Sequence, residues 1–95
     1  MIHHIVMFKI KEDLNKEEAI QAIKNALEAL PSVISEIKYF EVNINTIHSE
    51  RSMDLILNSK FDSFEDLSIY QKHPEHQKVV SLIKSLTSES RVVDY

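Results

Sequence analysis

The residues with the chemistry to move a proton are gathered in one stretch, Tyr70-Gln71-Lys72-His73-Pro74-Glu75-His76, where a tyrosine and two histidines surround a proline. Histidine can act as a base near neutral pH, provided its surroundings keep it neutral. Proline lacks an amide proton and clashes with the preceding turn inside a helix. At the first helical position both defects cost nothing, so a helix is expected to start at Pro74. From Pro74 to Thr87, the residues Val79, Val80, Ile83 and Leu86 fall on one face. His76, three before Val79 and seven before Ile83, projects from the middle of that face. An inward histidine at a helix N-terminus meets the positive end of the helix dipole, which disfavours the imidazolium and suits a general base. The same position also suits a hydrogen-bonded core histidine with no chemistry.

In an unbroken helix Tyr70 would point about 240° away from His76 and lie about 9 Å from it along the axis. The residue before a proline avoids helical dihedrals, so His73-Pro74 supplies the bend through which the two rings can meet. Otherwise Tyr70 is an amphipathic core residue whose hydroxyl reaches water at the edge. His4 is the third candidate, on the same side of its strand as Val6 and Phe8.

The elements that must position these residues can be read from periodicity. Ile2 to Lys11 alternates as a strand, with Ile2, His4, Val6, Phe8 and Ile10 on one side and His3, Ile5, Met7, Lys9 and Lys11 on the other. It is apolar on both sides at its centre. Asn15 with Glu18 three residues later forms a capping box, predicting a helix whose apolar face is Ala19, Ile20, Ile23, Ala26, Leu27 and Leu30 and which ends at Pro31. Ile34 to Ile44 and Met53 to Phe61 read as strands pairing antiparallel across a polar loop, Asn45 to Glu50. Asp62 or Ser63 caps a short helix from Phe64 to Tyr70 with Phe64, Leu67 and Tyr70 on one stripe. Arg91 to Tyr95 is a short terminal strand.

The order β-α-β-β-α-β is the split arrangement of a ferredoxin-like α+β fold, a four-stranded antiparallel sheet with its helices on one face. That leaves Ile5 and Met7 without cover. Burying a large aliphatic side chain contributes roughly 1.5–3 kcal/mol, so the pattern predicts a homodimer joined through the open sheet face.

Composition narrows the function classes. Ninety-five residues suit one small domain spanning 1–95, and 43% apolar with 27% charged residues is ordinary for a soluble protein. No apolar run is long enough for a spanning helix, and no basic-then-apolar leader opens the chain, so no membrane partner is expected. A net charge of -4 with dispersed lysines argues against nucleic acid. The chain has no cysteine, which fits the reducing cytoplasm. It has no glycine either, which excludes the glycine-rich phosphate loops of nucleotide-binding folds.

The opening His4-Ile5-Val6-Met7-Phe8-Lys9, the Tyr70-x-x-His73-Pro74-x-His76 segment and the closing Val92-Val93-Asp94-Tyr95 resemble the stress-responsive A/B barrel (Dabb) family over nearly the whole chain. The resemblance implies a dimeric α+β barrel, in keeping with the strand faces. It also implies a small-molecule pocket between sheet and helices near His4, Tyr70 and His76, with Val6, Phe8 and His73 as binding residues. A plant member of the family closes a linear polyketide by intramolecular aldol condensation without a cofactor, and its catalytic residues match Tyr70, His76 and His4. By that likeness His76 would be the general base of a cyclase or lyase acting on a carbonyl compound, Tyr70 the oxyanion donor and His4 an orienting partner. Related dimeric barrels degrade haem, but the His73-x-x-His76 pair lacks a third ligand, so neither metal nor cofactor is expected.

Overall fold

A computed structural model describes residues 1–95. Along the chain run β1 (Ile2–Ile10), α1 (Lys16–Glu28), a 3-10 turn (Leu30–Ser32), β2 (Tyr39–Ile44), β3 (Leu55–Phe61), α2 (Phe64–Lys72), α3 (Pro74–Leu86) and β4 (Thr87–Asp94). The sheet order is β2-β3-β1-β4, and every neighbouring pair is antiparallel. This is the expected ferredoxin-like arrangement, with α2 and α3 together forming the second helical unit.

Local chemistry starts the helices where the sequence predicts. The Asn15 side chain accepts from the Glu18 amide at 3.0 Å, and Ser63 accepts from the Asp66 amide at 3.1 Å. Pro31 falls inside the 3-10 turn that follows α1. The core lies between the helices and one face of the sheet. Phe8, Ile10, Leu55, Leu57 and Phe61 from the central strands are buried against Ile20, Ile23 and Leu27 of α1, Leu67 and Tyr70 of α2, and Val79 and Ile83 of α3.

Four details differ from the expected pattern. Phe64 is 66% exposed, because residues spaced three and three drift by about 120° over six positions and Phe64 leaves the stripe that Leu67 and Tyr70 keep. Strand β2 starts at Tyr39, five residues later than expected, because Ile34 is buried in the turn after α1. Strand β3 starts at Leu55, since Asp54 turns its carboxylate back into the sheet. Its Oδ2 accepts from the Ile10 amide at 2.8 Å and its Oδ1 faces the Lys16 ammonium at 3.4 Å, replacing the rung where backbone pairing stops. Strand β4 begins at Thr87, directly after α3, and an irregularity in register between Lys9 and Ile10 accommodates its extra length.

Candidate functional site

The bend at His73 assembles the site. His73 is extended, with φ -62° and ψ 134°, and serves both helices at once. Its amide donates to the Tyr70 carbonyl at 3.2 Å, its carbonyl accepts from the Gln77 amide at 3.0 Å, and its Nδ1 accepts from the Glu75 amide at 3.1 Å. Pro74 follows as the first residue of α3. The chain turns enough to bring the Tyr70 and His76 rings to a centroid separation of 4.2 Å, tilted by 43°.

His76 is held by its backbone neighbour. Its Nδ1 lies 3.0 Å from the Gln71 carbonyl. A carbonyl oxygen only accepts, so Nδ1 carries the proton and Nε2 is the basic nitrogen. Burial holds the imidazole below its ordinary value of 6.5, aided by repulsion from His4 and His73 and partly opposed by the Gln71 hydrogen bond. Tyr70, 1% exposed, is pushed the other way. Burial raises its pKa well above 10.0, and no hydrogen bond contributes to that rise. The pair is therefore a neutral imidazole beside a fully protonated hydroxyl at neutral pH.

His4 completes a ring cluster. It is buried, its ring centroid 6.2 Å from that of Tyr70 and 6.4 Å from that of Phe61, edge-on to both. Strand pairing sets its partners. His4 lies opposite Asp94 on β4 and Ser59 on β3. The Asp94 carboxylate hydrogen-bonds to His4 Nδ1, while the Ser59 hydroxyl donates to the His4 carbonyl at 2.8 Å. Asp94 anchors the imidazole through Nδ1, an orienting role that sequence reasoning missed. The closing Val92-Val93-Asp94-Tyr95 contained the signal, but reading it requires the register between two strands 90 residues apart.

A cavity of about 200 Å³ opens beside the cluster. His4, Val6, Phe8, Tyr70 and His76 line it, with Leu27, Leu57, Val80 and Ile83 as apolar wall and Lys84, Thr87 and Ser90 toward the far end of α3. His73 stands outside this lining and acts as the cap described above. No group of three or more His, Cys, Asp or Glu side chains is placed to hold a metal ion.

The model of the Stress Responsive A/B Barrel Domain matches residues 2–95. The chain belongs to this family. Among similar A/B barrel proteins, a stress-response A/B barrel domain-containing protein of Arabidopsis thaliana is 34% identical over 80 residues, covering 84% of this chain and 30% of that protein. A second such protein of the same plant, DABB1, is 26% identical over 97 residues, and the aligned region spans 46% of its length. The chain thus spans less than half the length of these two plant relatives. A dimeric protein of unknown function and ferredoxin-like fold from Bacteroides fragilis superposes with a TM-score of 0.88 at 33% identity, covering 99% of this chain and 93% of that one. A hydroxynitrile lyase from Passiflora edulis reaches a TM-score of 0.87 at 17% identity over 99% of this chain and 90% of that one, a likeness of fold alone. No helix of this A/B barrel chain is long and apolar enough to cross a membrane.

Proposed function

We propose that this A/B barrel chain, a single domain over residues 1–95, works in the cytoplasm as a homodimer. Each copy binds a small molecule in the cavity at His4, Tyr70 and His76. One observation carries the pocket: the Tyr70 and His76 rings meet at 4.2 Å on the wall of the cavity, with His4 beside them, and the Tyr70 hydroxyl takes part in none of the chain's own hydrogen bonds. A ligand oxygen supplies the missing acceptor. Val6 and Phe8 provide apolar contact, and His73 acts by fixing the bend.

The dimer is supported by the sheet face away from the helices. Ile5, Met7 and Ile56 are half-buried there, Val93 is 54% exposed, and Asn58 Oδ1 is buried with no partner. The Bacteroides fragilis relative is itself dimeric. Joining two such faces removes this apolar surface from water. The cysteine-free composition suits a reducing compartment, and the net charge of -4 gives no footprint for nucleic acid.

The neutral His76 beside protonated Tyr70 favours a second function at the same site, cofactor-free proton transfer on a carbonyl compound. With the carbonyl oxygen at the Tyr70 hydroxyl, Nε2 of His76 removes a proton from the adjacent carbon. The electron pair moves into the carbonyl, and the hydroxyl donates to the enolate oxygen that forms. The enolate carbon then attacks a second carbonyl of the same molecule, as in a cyclase. A lyase runs the corresponding bond cleavage. Hydrogen-deuterium exchange at the α-carbon of acetophenone in D2O is the test. The wild type should accelerate exchange, and His76→Ala and Tyr70→Phe should each lose about a hundredfold or more of that acceleration. Exchange at the wild-type rate in both variants would leave the cavity a binding site without this chemistry.

A further inference from the structure

The cavity is electrically asymmetric. At one end the rings of His4, Tyr70 and His76 present neutral or already paired groups, whereas at the other stands Lys84, the lining residue with a full positive charge. Lys84 takes part in none of the chain's ion pairs. Its own helix offers no partner, since Val80 and Ser81 stand four and three residues before it and α3 ends at Leu86. Glu89, the nearest carboxylate in sequence, is paired with Arg91 at 2.9 Å. Thr87 spends its hydroxyl proton on the Ile83 carbonyl at 2.8 Å, which leaves the Ser90 hydroxyl as a second donor in the cavity lining with Lys84.

We infer that the ligand of this cavity is a small apolar carboxylic acid, its carboxylate held by Lys84 and Ser90 and a second oxygen at its far end held by Tyr70. The inference rests on the pocket proposed above and names the class of molecule that fills it. The spacing sets the size. His76 and Lys84 are eight residues apart on α3, about 12 Å along the axis, and the wall between them is Val80, Ile83, Phe8 and Leu27. A volume of about 200 Å³ equals roughly seven water molecules and falls below the usual range for drug-sized ligands, so the molecule is a short chain or a single ring.

The test uses 6-oxoheptanoate, ionised at neutral pH with its ketone remote from the carboxylate. Its comparators are the neutral methyl ester and heptanoate, which lacks the ketone. Dissociation constants come from backbone amide shifts of isotopically labelled full-length protein. Wild type should bind the keto acid at least tenfold more tightly than its ester. Exposed Lys84 can be changed without disturbing the core, and Lys84→Met should erase that preference while Lys84→Arg retains it. Tyr70→Phe should erase the preference for keto acid over heptanoate and leave the preference for acid over ester intact. Equal affinity for acid and ester in the wild type, or an unchanged preference in Lys84→Met, overturns the carboxylate assignment even if the ketone still depends on Tyr70. If no probe shifts the amides around His76, the pocket itself is refuted, and the acid with it.

Discussion

The two faces of the sheet are made from the same four strands, yet the helices cover the centre of one and leave the other open. On the face under the helices, Phe8, Leu57 and Phe61 are buried, and its polar groups are paired: His4 with Asp94, and Ser59 with the His4 carbonyl. On the open face, Ile5 and Met7 are half-covered and Asn58 Oδ1 has no partner. At its edge the Tyr39 hydroxyl and the Asn43 amide converge on the Glu41 carboxylate in full contact with solvent, which raises the Tyr39 pKa and lowers that of Glu41. Since buried polar groups in folded proteins are paired, the covered face shows what the chain completes alone and the open face what we assign to a second copy.

The largest break in this contrast comes from the covered face. Phe61→Ala, at a residue with no exposure, should cost about 3–5 kcal/mol in urea denaturation. A loss below about 1 kcal/mol would mean the core is not centred there. Next comes Met7→Asp, which should leave the fold intact but place a charge in the proposed dimer contact and weaken association by about a hundredfold or more, close to 3 kcal/mol. Sedimentation at micromolar concentration reads the outcome, and a wild type that is already monomeric would refute the dimer. Asp54→Ala, at the sheet end, should cost about 1–3 kcal/mol, because it leaves the buried Ile10 amide without its acceptor. Smallest of all, Phe64→Ala should stay within about 0.5 kcal/mol of wild type, as expected for an exposed side chain outside the core stripe.

These predictions divide along the line between what the chain declares locally and what it hides. The alternation of β1, the Asn15 cap and the helix start at Pro74 depend on neighbours within a few residues, and all are legible in the sequence. The meeting of Tyr70 and His76 is legible too, because proline's restriction on His73 is itself local. The Asp94 contact to His4 is not, since it spans 90 residues and appears only once β1 and β4 are in register. The first half of β4, Thr87-Ser88-Glu89-Ser90, is hidden for another reason. Of these only Thr87 has a strand preference, and pairing with β1 recruits Thr87, Glu89 and Ser90 while Ser88 falls at the irregularity. Asp54 is hidden for a third reason: strand alternation sets it on the side opposite Leu55 and Leu57, and nothing in that pattern shows that its carboxylate turns to accept from the Ile10 amide.

His76 also links the site to pH. Its folded pKa is lowered below 6.5, so between that lowered value and 6.5 the unfolded chain binds a proton that the folded chain does not. Its contribution to stability is therefore complete above pH 6.5 and falls away as pH drops toward the lowered value, below which no further loss occurs. His76→Gln should flatten this segment of the stability profile. The protonation state of His76 itself is the most direct test of the site, and long-range nitrogen-proton correlation spectra across pH 5 to 8 would read it. We predict a neutral ring protonated at Nδ1, with a titration midpoint below 6.5. A neutral ring protonated at Nε2, or a midpoint at or above 6.5, would contradict the general-base geometry proposed for this site.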